Sequence, residues 1–361
     1  MKRLLLLLYI GLLTPGVSDR EKVQAADSRI TYVGRTLVQE GTVSFDWSAV
    51  YARISFTGGY LALEAGDSGK DYFNLWIDKE PSAEPDRVIV LDRDTTVVLF
   101  QQREKRPRPH RIVLQKRTEG EQGRATFRAL EVEGELLQAE PLRERLIEFI
   151  GDSYTCGYGT DSPSRDAPFR PEEENPAKTY ADILCRYFGA DGCHLSHSGQ
   201  GIDRNYDEAG RGCHMPDRYL RTFDLAESPV WEASGPKPSL TVIYLCTNDF
   251  STERQPSLSA FCAQYQRLLG QVKANYGEDH PILCVAPLHG EEHHRYVREA
   301  VSRCGLSRVY YAGIPAQANN TDTDLGASWH PNYSGQRKQA YVLAPVISTL
   351  TGWPMENKPL L

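Results

Sequence analysis

The stretch from Leu146 to Thr160, LIEFIGDSYTCGYGT, constrains the fold more than any other part of the chain. Its apolar run, Leu146 to Ile150, reads as a buried strand, and Gly151-Asp152-Ser153 breaks that run at once. A serine is thereby set at the carboxyl end of a strand, on a turn with a glycine before it. In α/β folds ligands and nucleophiles sit there, because backbone N–H groups can face a substrate. Taken alone, the same pattern also describes an ordinary turn serine. Three further stretches separate the two readings.

Composition narrows the class first. The chain has 361 residues, enough for two domains at a typical ~150 residues each. Hydrophobic residues make up 40% and charged residues 25%, as in an ordinary globular protein. A net charge of −7 without a long basic run argues against a nucleic-acid partner. Lys2 and Arg3 precede an apolar stretch from Leu4 to Leu13, the pattern of a secretory signal and too short to span a bilayer comfortably. Residues 1–26 are thus expected to be a signal peptide, with cleavage between Gly16 and Ala26. The expected protein is secreted or periplasmic, with no integral membrane span once the signal is removed. All eight cysteines follow Ser153. Several fall in apolar core-like patterns, but export permits disulfides, and Cys193 with Cys213 is the pair to test first.

From Arg29 to Gln138 short alternating runs are separated by turns, as in TVSFDWSAVYARISFTGGYLALEAG. Many short strands without a 3.6-residue period predict an all-β jelly-roll sandwich over residues 27–140, read as an accessory domain. From Pro141 the texture changes. Continuous β-branched and aromatic runs at Leu240–Asp249, Pro281–Pro287 and Arg308–Gly313 predict strands buried on both faces of a parallel sheet. Between them, Asn175-Pro176 reads as a helix start, with Tyr180, Ile183, Leu184, Tyr187 and Phe188 on one face until Gly189. A second helix is marked by Leu258 to Val272 and a third by Tyr296 to Val301. Residues 141–361 are therefore expected to form a three-layer α/β domain with a parallel sheet.

Four blocks recur in order: GDS at 151–153, SGQG at 198–201, TND at 247–249 and WHP at 329–331. Here the chain resembles the SGNH (GDSL-like) hydrolases, whose blocks carry Ser, Gly, Asn and His. GDSYTCGYG, TNDF, WHPN and the earlier WSAVYARISFTG resemble carbohydrate esterase family 2 more specifically. Its members join an N-terminal jelly roll to a C-terminal SGNH domain and remove O-acetyl groups from plant polysaccharides. The resemblance implies an acetyl esterase acting on xylan or glucomannan, with no metal or cofactor and an acetylated polysaccharide or oligosaccharide as partner. The chemistry is consistent with it: ester hydrolysis needs an activated hydroxyl and donors for the oxyanion. Ser153 is the expected nucleophile and His330 its base. The backbone N–H groups of Ser153 and Gly199, with the Asn248 amide, are expected to form the oxyanion hole, Gly201 being the alternative glycine. Tyr154 and Trp329 are candidates for a sugar-binding wall.

Two departures stand out. Cys246 replaces the glycine that usually precedes TND, and the positions two and three before the histidine are Ser328 and Ala327 where many SGNH enzymes have an aspartate. A Ser–His dyad is expected, its imidazole oriented by a backbone carbonyl or by Ser328, with Asp324 a distant substitute. Three other readings compete: a metal site built from Cys193, His194, His197, Cys213 and His214, an esterase for another short acyl group, and a decayed glycan-binding protein. The 161–175 insertion is expected to border the cleft.

Overall fold

Alternating apolar and polar residues in the first half build two antiparallel sheets that close on a shared core. The computed structural model describes residues 20–356 apart from 104–105, 211 and 234, so the expected signal peptide lies outside the described residues. One sheet runs Leu37–Gln39, Thr42–Phe45, Ala125–Glu133, Tyr60–Asp67, Thr95–Gln101, with Arg20–Gln24 also on Ala125–Glu133. The other runs Leu136–Leu137, Tyr51–Thr57, Pro109–Lys116, Asp71–Ile77, Arg87–Leu91, with Thr31–Val33 beside Tyr51–Thr57. Inward positions carry Phe45, Phe73 and Phe127, all buried, with the Phe45 and Phe127 rings edge-on at 4.9 Å.

The second half is a five-stranded parallel sheet. Its strands are β1 (Leu146–Gly151), β2 (Asp191–Ser196), β3 (Leu240–Tyr244), β4 (Ile282–Ala286) and β5 (Val309–Gly313), in the spatial order 2-1-3-4-5. Helices α1 (Tyr180–Phe188), α2 (Leu258–Tyr276), α3 (Glu291–Arg303) and α4 (Tyr333–Thr351) connect and cover them. Successive strand residues point to opposite faces. Val242, Leu283 and Val285 therefore pack with α1 and α4, while Ile243, Cys284 and Ala286 pack with α2 and α3. Burial on both faces explains the unbroken apolar runs. The order reverses between β1 and β3, so the crevice beyond their carboxyl ends is the switch point where such sheets hold ligands. No helix among the described residues is long and apolar enough to cross a membrane.

Three local expectations are corrected. Asn175 caps only a 3-10 turn, Pro176–Lys178, and α1 begins at Tyr180, because Thr179 takes an extended backbone (ψ 160) that interrupts the helix between them. The strand through Leu240 stops at Tyr244, because Cys246 takes φ +102, in the left-handed region, and turns the chain out of the sheet. All eight thiols are free, Cys193 and Cys213 among them. Cys193 belongs to β2, opposite Glu148 of β1, whereas Cys213 lies in a loop before the turn Met215–Arg218.

The sandwich was expected to be an accessory, yet a seam of buried polar groups joins it to the α/β domain. Arg53 pairs with Asp191, which also accepts from Tyr51 Oη at 2.8 Å. Trp47 Nε1 donates to Thr222 O at 2.9 Å, and Arg117 Nε to Glu174 O at 2.8 Å. Such groups tolerate burial only because each finds a partner across the seam. Asp191→Ala leaves Arg53 buried without its carboxylate and is expected to cost about 3–5 kcal/mol. Lys79→Ala, at the exposed 2.8 Å pair with Asp86, should change stability by about 0–1 kcal/mol. Urea midpoints test this contrast; equal shifts in the two variants would refute it.

Candidate active site

Gly151 closes β1 because nothing larger fits: a Cβ there would lie 2.0 Å from Thr155 Oγ1. Asp152 then caps a single helical turn, Ser153–Cys156, by accepting from Tyr154 N at 3.1 Å. Ser153 is the first residue of that turn, so its backbone N–H lacks a partner inside the helix. Its hydroxyl lies 2.9 Å from His330 Nε2.

His330 is delivered by a strained loop. Ser328 and Trp329 both have positive φ, +52 and +62, a conformation costing roughly 1 kcal/mol or more per residue outside glycine. The insertion holds them: Ser328 N donates to Ala167 O at 3.0 Å and Trp329 N to Arg165 O at 3.1 Å. The turn brings the Ser328 carbonyl to 2.9 Å from His330 Nδ1. A carbonyl can only accept, so Nδ1 carries the proton and Nε2 presents its lone pair to the Ser153 hydroxyl. Past Pro331, Asn332 caps α4 by accepting from Gly335 N at 3.2 Å, which fixes the far side of the loop. Asp324 takes no part: it is buried on Lys338, Ser334 and Asn320.

The loop after β2 carries the SGQG block. Gly201 N donates to Asn205 Oδ1 at 3.0 Å, and a Cβ at 201 would lie 1.8 Å from Arg204 O. Gly201 is thus committed to packing. Gly199 has φ +76, and its N–H has no partner among the described residues. Asn248 Nδ2 donates to Gln200 O at 2.9 Å and lies 3.3 Å from Asp152 Oδ2. Asp249 accepts from Ile202 N at 3.1 Å, Asp203 N at 2.8 Å and Arg204 N at 3.0 Å. The TND and SGQG blocks are therefore interlocked.

Burial lowers the His330 pKa to about 4, and His289 nearby pushes the same way against the carbonyls of Ser328 and Ala327. Burial raises Asp152 to about 7, with Asp249 adding to the rise and the Tyr154 N–H opposing it. At neutral pH the imidazole is thus unprotonated.

The remaining sequence candidates fare differently. Trp329 is 53% exposed beside His330, with the Arg165 guanidinium 4.5 Å from its ring centre. Tyr154 is buried: its ring meets His330 edge-on at 5.6 Å and its hydroxyl lies 3.0 Å from His289 Nε2, so it offers packing in place of an open wall. Tyr158, stacked on Phe169 and 4.4 Å from the His330 ring, borders the site instead, and Tyr206, beside Gly199, is 64% exposed. The five residues of the metal reading do not assemble. His194 faces Asp182 at 3.1 Å, His197 faces Asp224 at 2.8 Å, and His214 faces Glu208 at 2.9 Å, three separate carboxylates.

Comparison with known proteins gives a consistent picture. Residues 32–141 match the Carbohydrate esterase 2 N-terminal family and residues 149–338 the GDSL-like Lipase/Acylhydrolase family. A "Cellulase/esterase CelE" of Acetivibrio thermocellus is 33% identical over 316 residues, 85% of this chain, which spans only 38% of that relative's length. An "Acetylxylan esterase / glucomannan deacetylase" of Cellvibrio japonicus is 29% identical over 92% of this chain and 95% of its own. The structure of a family two carbohydrate esterase from Clostridium thermocellum in complex with cellohexaose superposes with a TM-score of 0.82 at 30% identity, covering 90% of this chain and all of that one.

The geometry around His330 has a spectroscopic consequence. In a ¹H–¹⁵N NMR titration the ring should stay neutral from pH 8 to pH 5 and protonate near pH 4. A midpoint at the ordinary ~6.5 would contradict the burial described.

Proposed function

The chain belongs to carbohydrate esterase family 2 within the GDSL-like acylhydrolases and is a carboxylic ester hydrolase; on that premise we propose that it is a secreted enzyme removing O-acetyl groups from plant cell-wall polysaccharide such as xylan or glucomannan. The observation that carries the reading is the pair of hydrogen bonds on one ring: His330 Nδ1–H donating to Ser328 O and the Ser153 hydroxyl donating to His330 Nε2, each 2.9 Å. The names of the Cellvibrio relatives support the substrate class. The apolar run behind Lys2 and Arg3 supports export.

Each step falls to a named group. His330 Nε2 takes the Ser153 proton as Oγ attacks the acetyl carbonyl, and the carbonyl π-electrons move onto oxygen. The N–H groups of Ser153 and Gly199, without a partner among the described residues, receive that oxyanion. Asn248 joins them: its amide is anchored by one proton on Gln200 O, and the second, only loosely held by Asp152, turns to the oxyanion. The imidazolium then protonates the sugar oxygen as its bond to the acetyl carbon breaks, which frees the sugar hydroxyl. Water, deprotonated by the same nitrogen, attacks the acetyl-serine, and that proton passes to Ser153 Oγ as its bond to the acetyl carbon breaks and acetate leaves. The exposed Trp329 and Tyr206 flank this point and offer faces for sugar rings.

Acetate release from acetylated xylan and glucomannan should vanish in Ser153→Ala and persist in wild type with chelator present. Asn248→Ala should retain fold and lose about 10²–10³ in kcat. Wild type inactive on both polymers and on a simple aryl acetate would remove the esterase reading; activity on the aryl acetate alone would remove only the polysaccharide.

A further inference from the structure

Among the groups the reaction above does not use, Glu119 is the one whose position bears on it. It lies just beyond the sandwich strand Pro109–Lys116 and is 1% exposed. Its Oε2 accepts from Ser198 N at 2.6 Å, and Ser198 immediately precedes Gly199. This bond ties the Ser198 peptide to the Glu119 side chain. Glu119 is itself held. Its own N–H donates to Glu174 Oε2 at 3.2 Å, Lys116 Nζ donates to its carbonyl at 3.2 Å, and Cys156 Sγ, from the helical turn that starts at Ser153, lies 3.6 Å from Oε2. One carboxyl thus touches both the turn carrying the nucleophile and the loop carrying the glycine.

We infer that Glu119 is a positioning residue for the oxyanion hole, supplied by the sandwich to the α/β domain: its Oε2 fixes the Ser198 peptide and so aims the Gly199 N–H at the reacting carbonyl. The inference rests on the esterase reading above. A glycine at φ +76 is conformationally free, and Gly199 has no hydrogen bond of its own N–H to hold it. The restraint comes from its neighbours, Ser198 on Glu119 and the Gly199 carbonyl on Tyr206 N at 2.8 Å. Displacing such a donor by about 1 Å is enough to cost up to ~10²-fold in rate. What acts is the acceptor atom, not the charge. Burial pushes the Glu119 carboxyl upward, toward its neutral form, and His197, whose Nδ1 lies 3.9 Å away, opposes the shift.

Two variants of equal length separate acceptor from bulk. Glu119→Met fills the same buried volume without an acceptor; Glu119→Gln keeps one without a charge. On an aryl acetate, Glu119→Met should lose about 10- to 100-fold in kcat with KM within about twofold and an intact thermal midpoint. Glu119→Gln should restore the rate to within about threefold of wild type. If Glu119→Met does not fold, Glu119→Asp, which withdraws the acceptor by one methylene, takes its place with the same expected loss. A Met variant as fast as wild type, a loss confined to KM, or a Gln variant as slow as Met would each overturn the inference. Wild type and Ser153→Ala run alongside: an inactive wild type removes the esterase reading and this inference with it, whereas an active wild type with an unimpaired Met variant removes this inference alone.

Discussion

The contact between His330 Nε2 and Ser153 Oγ joins residues 177 positions apart in the chain, and most of the α/β domain bears on keeping them at 2.9 Å. The serine end is fixed by the sheet: β1 lies between β2 and β3, is buried on both faces, and ends on a glycine that only a bare backbone permits. The histidine end is fixed from both sides of its loop, by the insertion through the carbonyls of Arg165 and Ala167 and by the capped start of α4. Neither end relies on an exposed ion pair, which salt and side-chain entropy would weaken.

What the sequence made legible followed from residue type alone. Strands buried on both faces must be written as unbroken apolar runs, so the central strands were visible. The four blocks were visible because the proposed reaction needs a hydroxyl, an imidazole, an amide and a bare backbone. The group orienting His330 was open between a peptide carbonyl and a side chain, because backbone conformation at Ser328 and Trp329 has no residue signature: neither is a glycine, and both take positive φ. Asp249 was read only as part of a motif, although it gathers three backbone N–H groups of the facing loop. Such long-range partners of one carboxylate leave no local pattern. The start of α1 was misplaced for a related reason: the extended backbone at Thr179 that separates the Asn175 turn from the helix has no residue signature.

The seam between the two domains differs from a flexible tether. Interfaces between domains of one chain usually permit relative motion unless they are extensive. Here Arg35 donates to the carbonyls of Tyr219 and, at 2.7 Å, Arg221, with Glu148 of β1 close by; Arg53, Tyr51 and Asp191 form a second buried node. Separating the halves would break the Arg53–Asp191 pair and strip Arg35 of the two carbonyls it donates to. The sandwich is better understood as one wall of the α/β domain than as an appendage, although its sequence, free of catalytic residue clusters, suggested the latter.

The loop at 328–330 carries one more consequence. An aspartate that steadies a histidine is a side chain: substitution deletes it, and acid neutralises it. A peptide carbonyl is present whatever residue occupies the position, and it does not titrate. The inherited requirement at Ser328 therefore shifts from chemistry to shape. Many residue types can supply the oxygen, but only those that accept a left-handed backbone, propped by the neighbouring insertion, will aim it. Sequence searches keyed to an acid before the histidine would pass over such a site, while changes in the length of the distant 161–175 segment would disturb it.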